Sequence, residues 1–211
     1  MPAASPRRAL VVIDVQNEYF TGQLLIEHPP VAQSLPLIGR AMDAAHAAGI
    51  PIVLVQNSAP PESPMFGRGS HGWQLHEDVA RRPHDHLIEK SFPSVYTGTD
   101  FADWLASRQI DTLAVAGYMT HNCDASTIFE ATHRGLQVEF LQDATGSLPY
   151  ANTAGSATAE EIHRVFSVVF HTRFASVTST EGWIAAAQAG QPIPRGNIPA
   201  SYAAARAKAA V

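Results

Sequence analysis

The feature that most constrains this chain is a repeated exchange of two hydrophobic patterns. Short runs that are apolar at nearly every position alternate with longer segments that are apolar every third or fourth residue. "ALVVI" (9–13) comes first, and "IPIVLVQ" (50–56), "TLAVAG" (112–117) and "QVEFLQD" (137–143) come after it. A strand with one wet face alternates polar and apolar side chains, so unbroken apolar runs predict strands covered on both faces.

Between the first two runs, "SLPLIGRAMDAAHAAG" (34–49) predicts a helix. Ser34 would cap it, Pro36 would sit in its first turn, Gly49 would end it, and Ile38, Met42 and Ala45 would face inward. Further helices are predicted over 99–110, from near Cys123 to Gly135, over 158–171 and over 181–190. "HLIEKS" (86–91) and "ASVTS" (175–179) predict short strands. Strands alternating with helices need crossover connections, so the predicted class is α/β: three layers, α/β/α, around a mostly parallel sheet. Residues 1–190 form one expected domain, and 191–211 a Pro- and Ala-rich tail.

Composition narrows the partners. With 45% hydrophobic and 16% charged residues the chain can fill a core, and a net charge of −5 argues against nucleic acid and anionic membranes. One cysteine among 211 residues forms no internal disulfide. The apolar run near the start is five residues long and ends at Asp14, too short for a signal or membrane segment, so the expected location is the cytoplasm.

In parallel α/β sheets ligands bind beyond the carboxyl ends of the strands, so the residues just beyond each run are the candidates for a site. Asp14 stands directly after the first run. It is either a turn-capping aspartate or a buried carboxylate in need of a cation. Lys90 ends the short run 86–91, as an exposed edge charge or as that cation. Cys123 comes after the run 112–117 at the opening of a helix, where Thr120 and Asn122 are natural caps. Core filling is the common fate of a free cysteine, but the positive end of a helix also stabilises a thiolate.

The loop 57–83 is long for a plain connection, and such loops are usually functional. Its "GRGSHG" (67–72) matches G-x-G-x-x-G but lacks the preceding strand that a dinucleotide site requires. Trp73 beside it is either a loop anchor or a stacking surface for substrate. Phe20, Tyr118 and Tyr150 also lie just past strand ends and are candidate pocket residues. His121 adjoins the cysteine without an assigned role. The ten histidines show no metal-ligand spacing with a matching third residue, so no metal and no cofactor are expected.

Three segments together resemble the isochorismatase-like cysteine hydrolase superfamily: "ALVVIDVQNEY", "IEKSFPSVYTGTDFADWL" and "LAVAGYMTHNCDASTIFEATHRG". The resemblance spans residues 9 to about 180. It implies a six-stranded parallel sheet, a homo-oligomer, and a catalytic triad of Asp14, Lys90 and Cys123. It also implies a non-proline cis peptide, placed here at Met119–Thr120, and an oxyanion hole from the backbone N–H groups of Thr120 and Cys123. The implied activity is hydrolysis of a C–N amide bond in a small molecule through a Cys123 thioester. The metal-binding pattern of nicotinamidases is missing from "VQNSAPPESP" (55–64), and the vinyl-ether-cleaving subgroup lacks the cysteine. Two alternatives remain open: the same residues acting on a carbamoyl or other acyl bond, and a thiol-based sensor or binding protein, which would not need both Asp14 and Lys90.

Overall fold

The computed structural model describes residues 5–208. Six strands, β1 (Arg8–Ile13), β2 (Ile52–Asn57), β3 (His86–Lys90), β4 (Thr112–Tyr118), β5 (Gln137–Gly146) and β8 (Ser176–Thr178), form one sheet in the order β3-β2-β1-β4-β5-β8. Every pairing in it is parallel. The order reverses between β1 and β4, so the crevice that this topology opens lies at their carboxyl ends.

Successive strand residues point to opposite faces, and each face has its own core. Ala9, Val11 and Ile13 join Ile88, Phe101, Val115, Ile128, Phe140 and Phe170 on one side. Leu10 and Val12 join Ile38, Met42, Leu54, Ala114 and Trp183 on the other. Helices α2 (Val31–Ala47) and α7 (Thr180–Gln188) cover the second face, while α4 (Phe101–Ser107) and α5 (Ala125–His133) cover the first.

Helix α2 starts at Val31, three residues before the expected cap. Ser34 lies inside it, fully buried, and its hydroxyl meets Tyr118 Oη at 2.8 Å. A tertiary partner has taken the oxygen that a cap would have used. Helix α6 (Ala159–Val169) opens on a capping box in which Thr158 and Glu161 bond each other's backbone N–H. Near the other end of the sheet, Arg8 and Glu139 form a buried ion pair at 2.8 Å, and Trp183 Nε1 also donates to Glu139.

Three elements lie outside the pattern prediction: the short turns of helix α1 (Glu18–Thr21) and α3 (Glu77–Ala80), and an antiparallel hairpin, β6 (Tyr150–Asn152) with β7 (Gly155–Ala157). Within the expected tail, Ile198–Lys208 is a helix, α8, with no buried residue. Among the described residues no helix is long and apolar enough to cross a membrane.

Candidate active site

Asp14, Lys90 and Cys123 meet beyond the carboxyl ends of β1, β3 and β4. Lys90 Nζ donates to Asp14 Oδ2 at 2.7 Å and to Cys123 Sγ at 3.2 Å. The side chains of Asp14 and Lys90 are both 0% exposed, and Cys123 is 5% exposed. Strand β2 stands between β3 and β1. The Lys90 side chain, its 2.7 Å hydrogen bond and the Asp14 side chain together bridge two strand spacings, about 10 Å, which calls for a long side chain on β3.

The backbone at this end is tightly specified. Gly117 has φ +116°, and a Cβ there would stand 2.1 Å from the carbonyl oxygen of Ile13, the residue before Asp14. Only glycine lets β4 approach β1 so closely. Asp14 itself sits at φ +50°, uncommon outside glycine but tolerated by aspartate.

Cys123 lies in a π-helical turn, Thr120–Asp124, that leads into α5. The carbonyl of Met119 accepts from Asn122 N at 3.0 Å and from Asp124 N at 3.2 Å, which opens the wider turn. Single π turns recur at functional sites. Met119 precedes the turn, and neither Thr120 nor Asn122 caps it with a side chain. The Thr120 hydroxyl instead meets His163 Nδ1 at 2.9 Å. The non-proline cis bond is Tyr118–Met119, one residue before the expected Met119–Thr120. Strand β4 pairs with β5 as far as Tyr118, so the chain leaves the sheet at Met119.

The electrostatics differ from the helix-end expectation. Burial, and after it the Asp14 charge, push the Cys123 thiol far up, and Lys90 only partly opposes them. The resting sulfur therefore carries its proton. Burial pulls the Lys90 ammonium down, but the charges of Asp14 and Cys123 outweigh it and hold Lys90 above the usual lysine range. Asp14 Oδ1 is enclosed and has no hydrogen-bond partner among the described residues, so it has a lone pair free for a proton.

The four candidate pocket aromatics separate. Tyr118 is fully buried, with its hydroxyl against Ser34 in the α2-side core. Its ring packs edge to face on Tyr19, with centroids 5.6 Å apart, in the same core cluster as Phe66. Trp73 is a loop anchor: its Nε1 donates to Ser58 Oγ at 2.6 Å and its carbonyl accepts from Gln16 and Gln56. Phe20 packs on His76 and Tyr118, with ring centroids 4.4 and 5.9 Å away. Tyr150, on the hairpin, stays with the site: burial and the Cys123 sulfur push its hydroxyl up, and its ring meets His121 edge to face at 4.9 Å.

His121 does not face outward. Its Nδ1 lies 3.2 Å from Ser147 Oγ and its Nε2 is enclosed without a partner. Burial lowers both His121 and His163 to about 4. Among the described residues no three His, Cys, Asp or Glu side chains are placed to hold a metal ion. The sequence pattern did not single out Asp124, which is fully buried beside Cys123.

The parallel sheet and the buried Asp14–Lys90–Cys123 cluster stand within one hydrolase family, the isochorismatase family. The chain belongs to it: the isochorismatase domain matches residues 8–182. It is a hydrolase of the cysteine-hydrolase type. Among solved structures, an isochorismatase-type protein from Burkholderia xenovorans LB400 is 66% identical, with a TM-score of 0.97 over 99% of this chain and 100% of that one. Streptothricin hydrolase from Streptomyces noursei is 30% identical over 67% of this chain and 55% of its own length, so the chain spans about half of that relative. Ureidoacrylate amidohydrolase from Pseudomonas syringae is 28% identical over 65% of this chain and 69% of its own length.

Proposed function

We propose that the protein hydrolyses a C–N amide bond of a small molecule, with Cys123 as nucleophile, Asp14 as general base and acid, and Lys90 as the cation that holds them in register. One observation carries this reading: a single buried ammonium bonds both Asp14 Oδ2 and Cys123 Sγ. A structural ion pair has no need of a thiol. The names of streptothricin hydrolase and ureidoacrylate amidohydrolase support an amide or carbamoyl bond as the target.

The thiol is protonated at rest, so the attack is base-assisted rather than carried by a standing thiolate. Asp14 Oδ1 takes the proton as sulfur adds to the carbonyl carbon. The developing oxyanion is stabilised by backbone N–H groups of the π turn, assigned to Thr120 and Cys123. Asp14 returns the proton to the leaving amine, and a thioester remains. Asp14 then draws a proton from water, the hydroxide adds to the thioester, and Cys123 leaves as a thiol with that proton. Throughout, Lys90 keeps its charge beside whichever neighbour is anionic.

We also infer a homo-oligomer. Val165, Val168 and Val169 of α6 lie on one helix face at 47%, 60% and 42% exposure, and sedimentation velocity tests it directly. A single buried thiol fits a cytoplasmic enzyme.

The reaction is tested with a panel of small primary amides, ureido compounds and N-carbamoyl amines, monitoring ammonia release and the intact mass during turnover. The expected result is release with at least one member, together with an acyl adduct on Cys123 that Cys123→Ser does not form. Turnover that survives in Cys123→Ser would overturn the reading.

A further inference from the structure

Asp124 is the buried group that the proposed chemistry leaves idle. It is 0% exposed, and neither of its carboxyl oxygens has a hydrogen-bond partner among the described residues. It comes directly after Cys123 and is the last residue of the π turn. The groups that act on it come from four elements: Asp14 after β1, Lys90 of β3, Tyr19 of α1 and Tyr118 of β4. Only Lys90 among these is a cation, and its ammonium is already engaged by Asp14 and Cys123.

A bare carboxylate in such a place is far more costly than an uncharged carboxylic acid, because nothing replaces the water it gave up. Burial, and next the Asp14 charge, push the group well above the usual carboxylate range, with Lys90 pulling the other way. The single ammonium of Lys90 is thus shared by Asp14 and Cys123, with none left over for Asp124.

We propose that Asp124 is a positioning residue which, as an uncharged acid, leaves Lys90 to Asp14 and Cys123. A negative charge on Asp124 draws the ammonium away from the sulfur and opposes the negative charge that sulfur gains during attack. The inference rests on the proposed roles of Asp14, Lys90 and Cys123. It adds an alkaline limit to the reactivity of Cys123, set by a residue that never touches the substrate.

The test compares the pH profile of Cys123 alkylation by iodoacetamide in the native protein and in Asp124→Asn, which keeps the shape and cannot ionise. The ratio of variant to native rate is expected to rise by tenfold or more with rising pH, over the range in which both proteins stay folded, as Asp124 gains charge only in the native protein. A ratio that is flat with pH, whether large or small, overturns the proposal. A purely structural residue would move the stability but not this slope. Should Asp124→Asn fail to fold, Asp124→Ser is equally uncharged and carries the same expectation. Failure of the underlying roles is distinguished by Asp14→Asn and Lys90→Ala: if those label like the native protein, the catalytic assignment itself is at fault. If they lose labelling and the Asp124→Asn ratio stays flat, only this inference falls.

Discussion

Replacing Lys90 by methionine keeps most of the side-chain volume and removes the charge, so it isolates what the ammonium does. Its partner Asp14 lies 2.7 Å away, and both side chains are 0% exposed. The orphaned carboxylate then has two routes. It can remain charged and buried, for which removal of one partner costs about 3–5 kcal/mol. It can instead take up a proton, and holding an ordinary aspartate protonated at pH 7 costs roughly 4 kcal/mol, about three pKa units at 1.36 kcal/mol each. Both routes give a similar loss, so the expected destabilisation at pH 7 does not depend on which one the protein takes.

For a chain of this length that loss lowers Tm by about 6–20 °C, at roughly 2–4 °C per kcal/mol. Because Lys90 is held above the usual lysine range, its contribution is complete below the ordinary lysine value and fades only as the pH rises through the higher folded value. The cost of Lys90→Met therefore does not shrink between pH 7 and pH 9. Urea unfolding of native protein, Lys90→Met, Asp14→Asn and the double variant measures it. A loss below about 1 kcal/mol, the size of an exposed pair, would mean that the ammonium and the carboxylate do not form a tight buried pair, as would a double variant whose cost equals the sum of the single ones.

Arg8→Met breaks the other buried ion pair, with Glu139 near the opposite end of the sheet. It is expected to cost a similar 3–5 kcal/mol in urea while leaving turnover per folded molecule unchanged. Turnover that falls with it would mean that the two ends of the sheet are coupled. Acid weakens the fold through His163, 7% exposed and lowered by burial to about 4. A histidine with a depressed folded value loses stability as the pH drops below its ordinary value, so His163 costs about 2 kcal/mol at pH 5, from 1.36 kcal/mol per unit. Urea unfolding at pH 7 and pH 5 is expected to show a pH loss smaller by about that amount in His163→Gln. An equal loss in the variant contradicts the assignment.

Much of this architecture was legible because buried parallel strands declare themselves. "ALVVI" and "TLAVAG" have no polar break, and both became central strands flanking the switch point. That topology in turn explains why Asp14, Lys90 and Cys123, far apart in sequence, arrive at one place. Other features depend on tertiary partners that no local pattern encodes. Ser34 looked like a cap, but Tyr118 claims its hydroxyl inside α2. Tyr118 looked like a pocket residue because it lies just past an apolar run, yet it is the last residue of β4 and points into the core.

The electrostatic setting of Cys123 was legible only in part. Its place at a helix opening argued for a thiolate, whereas burial and the Asp14 charge, visible only in three dimensions, dominate. Asp124 offered one signal, an acidic residue directly after the candidate nucleophile. It became informative only when both its oxygens proved enclosed and without donors.

The central claim is that Asp14 and Lys90 make the otherwise protonated Cys123 reactive. Its most direct measurement is the iodoacetamide labelling rate of Cys123 at pH 7 in the native protein, Asp14→Asn and Lys90→Met, with folding of each verified by circular dichroism. Measurable labelling of the native protein and at least a tenfold fall in each folded variant are expected. Equal rates in all three would show that the thiol is a core cysteine with no link to its neighbours.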